Sequence, residues 1–148
     1  MSKKHQPITF FIDHCVSQKI VPEAMRSAGA TVEAHIDHFS IDALDTEWLP
    51  EVSQRGWVVI TKDFGLNSNF LELRAIAAAN AKVFILTSGN FTGEEMAAIL
   101  VEGISRLEKF VQGNQAPFIA RIDLKGKVKL LQNKTKLSKL LKGSVPQP

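Results

Sequence analysis

A chain of 148 residues with 45% apolar and 22% charged side chains has the balance of one globular domain, able to bury roughly two-thirds of the surface its unfolded form exposes. No apolar run approaches the ~20 residues that span a bilayer. The basic opening "MSKKHQP" lacks the length and cleavage site of a signal peptide, and the single cysteine, Cys15, excludes a disulfide framework or a cysteine-rich zinc site. No membrane association and a cytoplasmic location are the resulting expectations.

The strand and helix signals alternate. "ITFFI" (8–12) predicts a strand apolar on both faces, as inside a parallel sheet. Ser17 is expected to cap a helix running to about Ala28, with Pro22 and Glu23 in its early turns and Gly29 ending it. "TVEAHI" (31–36) predicts a second strand and "DHFSIDALD" (37–45) a loop. A helix is expected over about 46–55, closed by Gly56, with Pro50 either kinking it or moving its start later. "WVVIT" (57–61) predicts the third strand, "FGLNSN" (64–69) a loop, residues 70–80 an alanine-rich helix packed on the core, and "KVFILTS" (82–88) a fourth strand.

Thr92 opens a long helix to about residue 112, with Glu94 and Glu95 in the first turn, where the helix dipole favours anions. "FIARIDL" and "KVKLLQ" alternate around "KGK" and predict a terminal hairpin, or one strand and an extension. A short basic helix or a loose end follows from about Thr135. The alternation as a whole predicts an α/β fold, a three-layer α/β/α sandwich with a mainly parallel central sheet. We expect a domain over residues 1–124 and a basic C-terminal extension over 125–148.

The net charge of +3 is unevenly spread. Residues 1–123 carry 11 Lys and Arg against 15 Asp and Glu, a net of −4, and residues 124–148 carry seven lysines and no acid, a net of +7. Such an end usually solvates a surface, and it also suits a phosphate backbone.

Two strands end on an acid: "FFID" on Asp13 and "VVITKD" on Asp63. In open α/β sheets, sites lie beyond the carboxyl ends of the strands. If these two strands are neighbours, their carboxylates converge, and Asp45, just before the second helix, can join them. Three close carboxylates repel one another unless a cation compensates. Hard oxygen ligands suit Mg²⁺ or Mn²⁺. Singly, each acid also has a structural reading: Asp13 and Asp45 as helix caps, Asp63 as a turn former. Cys15 beside a strand reads as a packed residue before a catalytic thiol. His5, His14, His35 and His38 lack recognised metal spacing, and His35 and His38 suggest surface or structural roles. Phosphate-cradling G-x-G-x-x-G and G-x-x-x-x-G-K-[ST] loops are absent. Ser88-Gly89-Asn90 reads as a turn that could offer donors to a phosphate.

The runs "FFID" (Asp13), "DTEWL" (Asp45) and "VVITKDFG" (Asp63) resemble the PIN-like domain family, which includes metal-dependent ribonucleases and the toxin halves of many toxin–antitoxin pairs. The resemblance covers roughly residues 8–100. It implies that Asp13, Asp45 and Asp63 bind Mg²⁺ or Mn²⁺ for phosphodiester hydrolysis, that Thr61 helps to position a metal-bound water, and that an RNA substrate, a small antitoxin and a homodimer belong to the system. Lys62 and the tail lysines, Lys125, Lys127 and Lys129 among them, are then the expected contacts to the RNA backbone. Full-length members carry a further acid on an early helix, for which this sequence offers no clean equivalent. A non-catalytic PIN-like module that binds nucleic acid or a partner protein is therefore the alternative to an endoribonuclease. A response-regulator-like module would show two adjacent acids after the first strand, where "IDHCV" has one.

Overall fold

The computed structural model describes residues 8–63, 67, 69–87 and 91–141. His5, the Phe64-Gly65 turn, the Ser88-Gly89-Asn90 segment and Lys142 lie outside them. Strands β1 (Thr9–Ile12), β2 (Thr31–Ala34), β3 (Val58–Thr61), β4 (Lys82–Leu86), β5 (Phe118–Ile122) and β6 (Val128–Gln132) form one sheet in the order β2-β1-β3-β4-β5-β6. All pairings are parallel except β5 with β6, which is antiparallel. The helices are α1 (Ile20–Ser27), α2 (Asp45–Gln54), α3 (Phe70–Ala79), α4 (Gly93–Gly113) and α5 (Lys134–Lys139).

The period of two along each strand divides the core into two layers. Phe10, Ile12, Val58, Ile60, Phe84 and Leu86 point to one face, where they pack with Val21 and Met25 of α1 and Met96 and Leu100 of α4. Phe11, Val59, Val83 and Ile85 point to the other, against Trp48 and Leu49 of α2, Ile76 and Ala77 of α3 and Leu137 of α5. Both faces are covered, so the strands need continuous apolar runs. The result is the α/β/α sandwich expected from the alternation.

The element boundaries differ from the expected ones in physically readable ways. Helix α1 begins at Ile20, and Ser17 still serves its start by accepting the Ile20 amide at 3.2 Å. Strand β2 stops at Ala34 because residues 35–37 turn into a short 3-10 helix, with the His38 and Phe39 amides both donating to the His35 carbonyl. Helix α2 runs through Pro50. The bond that proline lacks would have gone to the carbonyl of Thr46, an exposed residue that water can serve. Gly56, at φ +78°, turns the chain from α2 into β3.

The C-terminal hairpin is formed: β6 extends the sheet, and α5 buries Leu137 in the second core layer. Because β5 runs parallel to β1, β3 and β4, its turn through Lys125 and Lys127 lies at the same sheet edge as the ends of β1 and β3. β5 is two strands from β3, about 10 Å at ~4.8 Å per strand.

Candidate metal centre

β1 and β3 are direct neighbours, with Ile12 opposite Ile60. The next residue of β1 is Asp13, whose amide donates to the Ile60 carbonyl at 3.0 Å. Asp13 is only 2% exposed. A carboxylate so buried needs donors. Its Oδ2 receives the Thr61 hydroxyl at 2.8 Å, and its Oδ1 receives the His14 amide at 2.7 Å. Thr61 in turn accepts the amide of Asp63 at 3.1 Å. The threonine thus joins the ends of two adjacent strands and fixes the backbone that carries the second acid.

Asp45, Asp63 and Glu72 bring a carboxylate oxygen each to within 4.8 Å of one another. Asp45 is the first residue of α2. Its Oδ1 accepts the indole N–H of the buried Trp48 at 3.1 Å, so the helix core orients the acid at the helix start. Glu72 lies in the first turn of α3, which Asn69 caps by accepting the amides of Leu71 and Glu72 at 2.9 and 3.3 Å. The Glu72 carboxyl is pushed up to about 7, first by its hydrogen bond with Asp45, then by burial and by the charges of Asp45 and Asp63. Two carboxyls can share a hydrogen bond only if one is protonated, so a proton here stands where a cation would relieve the same repulsion. Three oxygen ligands without nitrogen or sulfur are the donor set of a hard divalent ion. A cleft of about 360 Å³ opens beside Asp45 and Glu72, rimmed by Leu44, Asn69 and Leu71.

Of the three acids singled out from sequence, the fold brings Asp45 and Asp63 into one cluster with Glu72, while Asp13 groups with His14 and His35. Thr61 stands between the two groups through its hydrogen bonds to Asp13 and Asp63. Glu72 went unnoticed in sequence because it lies in the alanine-rich helix over residues 70–80, which reads as core packing and not as the end of a strand. Of the surface or structural roles expected for His35, burial leaves the structural one: its ring lies against Phe11, Phe39 and Trp48.

Cys15 packs against the same threonine, its Sγ 3.3 Å from Thr61 Oγ1, and accepts the Lys62 amide at 3.3 Å. Burial, and then the Asp13 charge, push its thiol up. A protonated thiol is a poor nucleophile. Lys125, Lys127 and Lys129 are exposed, and Lys62 is half-buried. Lys129 stands opposite Arg121 across the β5–β6 pair, a like-charge juxtaposition that an anion would relieve.

A family model described as "PIN like domain" matches residues 8–88, more than half of the chain. The chain belongs to the PIN-like domain family. This PIN-like chain is 22% identical over 103 residues, 67% of its length and 75% of the relative's, to the protein named "Putative ribonuclease VapC45" of Mycobacterium tuberculosis (strain ATCC 25618 / H37Rv). No solved structure matches it. Among the described residues no helix is long and apolar enough to cross a membrane.

Proposed function

We propose that this PIN-like chain is a divalent-metal-dependent endoribonuclease, the toxin of a toxin–antitoxin pair. The observation that carries the reading is the convergence of Asp45, Asp63 and Glu72 at the carboxyl edge of the sheet, where Glu72 supplies the further acid absent from the expected positions. The similarity to a protein named as a ribonuclease supports the substrate class.

In this reading Asp45, Asp63 and Glu72 hold Mg²⁺ or Mn²⁺, and Asp13, across Thr61, adds its charge to the same edge. When bound, the ion neutralises phosphate charge and lowers the pKa of a water. Trp48 holds Asp45 in place through its indole N–H, and Thr61 holds Asp63 through its backbone amide. The attacking water passes its proton to a carboxylate of this edge and enters in line with the leaving oxygen. Lys62, next to Asp63, and Lys125, Lys127 and Lys129 hold the RNA backbone. Leu44 and Leu71, 64% and 71% exposed beside the cleft, offer the antitoxin an apolar seat over the site.

The test is RNA cleavage with Mg²⁺ or Mn²⁺ by the wild type, Asp13→Asn and Asp63→Asn. Cleavage that stops with chelator and is lost in both variants is expected. Cleavage undiminished in both overturns the assignment, and RNA binding without cleavage in any metal supports a binding module instead.

A further inference from the structure

On the other side of Thr61, the structure places a second set of ligating atoms with a different chemistry. Asp13 Oδ1 lies 3.1 Å from His14 Nδ1 and 3.5 Å from His35 Nδ1. All three atoms fall within 4.8 Å of one another.

The tautomer of His35 is fixed by its surroundings. Its Nε2 lies 3.0 Å from the Ser40 carbonyl. A carbonyl can only accept, so Nε2 carries the hydrogen. In the neutral ring, Nδ1 then bears a lone pair. That atom is buried, belongs to a side chain with no exposure, and has no hydrogen-bond partner among the described residues. It faces the buried carboxylate of Asp13. Two lone-pair atoms facing each other away from water repel, unless a positive centre lies between them.

A proton is one such centre. It would draw the pair toward the roughly 2.7–2.9 Å of a charge-assisted bond, shorter than the 3.5 Å separation. A metal ion with bonds of about 2.1 Å instead holds adjacent ligands roughly 3.0 Å apart in octahedral and roughly 3.4 Å apart in tetrahedral geometry. The 3.5 Å His35 separation matches the tetrahedral spacing, while the 3.1 Å His14 separation is also that of a hydrogen bond.

We propose that Asp13, His14 and His35 form a second cation site, taking a first-row transition ion such as Zn²⁺ or Co²⁺. Two imidazoles and one carboxylate favour such ions over Mg²⁺. The outer contacts are those a metal-binding ligand needs: His35 donates its other ring N–H to a backbone carbonyl, and Asp13 Oδ2 is held by the Thr61 hydroxyl. Gln18 rigidifies the frame. Its Nε2 donates to the carbonyls of Ile12, Asp13 and Val16, and its Oε1 accepts the Ile36 amide, tying the Asp13 loop to the turn that carries His35. The His14 side chain, 36% exposed, provides the entry path. The site shares Asp13 with the nuclease reading, and its two imidazoles lie outside the Asp45, Asp63 and Glu72 set, so His14→Ala and the Asp45, Glu72 double variant separate the two.

The experiment is titration of the metal-free, untagged full-length chain with Co²⁺, followed by displacement with Zn²⁺. Visible ligand-field bands of nitrogen-ligated Co²⁺ that Zn²⁺ removes are expected. His14→Ala and His35→Gln should each raise the Kd more than about tenfold, and the double variant Asp45→Asn, Glu72→Gln should keep the bands. Circular dichroism checks the fold; if the buried His35→Gln variant fails to fold, the partly exposed His14 decides. Absence of nitrogen-ligated bands, an unchanged titration in His14→Ala, or loss of the bands only in the Asp45, Glu72 double variant would overturn the proposal.

Discussion

Thr61 donates its hydroxyl to Asp13 Oδ2 at 2.8 Å, joining the end of one parallel strand to the end of its neighbour. Thr61 has no exposed surface and Asp13 has 2%. Water therefore cannot replace this donor without entering the core. Thr61→Val, which keeps the shape and removes the hydroxyl, is expected to destabilise the fold by about 1.5–3 kcal/mol. Urea unfolding at neutral pH measures it; a change within a few tenths of a kcal/mol would mean that the His14 amide and the Cys15 thiol satisfy Asp13 without the threonine.

Glu72 gives the cluster a pH signature. Its folded-state pKa of about 7 stands above the ordinary 4.5, so the folded protein binds more protons than the unfolded chain between these values. Stability contributed by that proton is complete below about pH 4.5 and is lost as pH rises through 7. With chelator present, the wild type should lose stability relative to Glu72→Gln across this window. Saturating Mn²⁺ should reverse the trend, because the ion takes the place of the proton. Parallel thermal melts of both proteins at several pH values read the difference; coincident curves would contradict the shared proton.

Trp48 and Asp45 test how far the core directs the site. Trp48→Phe keeps an aromatic ring against Phe11 but deletes the N–H that Asp45 accepts. Cation affinity should fall by about tenfold or more, as when other outer partners of metal ligands are removed. Isothermal titration with Mn²⁺ measures the change, and unaltered affinity would make the contact incidental.

The basic hairpin should act through charge. Replacing Lys125, Lys127 and Lys129 together by Ala is expected to weaken RNA binding at low salt. If all three contact phosphates, the slope of log K against log salt should shrink by about 2. An unchanged slope would place the RNA elsewhere.

Much of this architecture was legible in the sequence, and the gaps have specific causes. The apolar runs of β1 and β3, each closed by an acid, announced buried parallel strands whose ends meet, and the sheet order made them neighbours. Glu72 was hidden because it lies in an alanine-rich helix that reads as core packing, and only the packing of α3 beside α2 turns its carboxyl toward Asp45. In sequence His35 stands between a surface and a structural role because it falls at the expected junction of strand and loop. Its burial depends on the 3-10 turn and on the Phe11, Phe39 and Trp48 rings, which come from three separate segments. Local pattern reported where the strands end; the meeting of distant side chains needed the fold.

The central claim is that the carboxylates gathered at the end of β3 hold the ion that cleaves RNA. Single-turnover cleavage of RNA by the wild type and Glu72→Gln, each titrated with Mn²⁺, tests it most directly. The account predicts metal-dependent cleavage by the wild type, and in Glu72→Gln a Mn²⁺ requirement raised about 10–100-fold with a lower rate at saturation. Identical metal dependence and rate in the two proteins would contradict it.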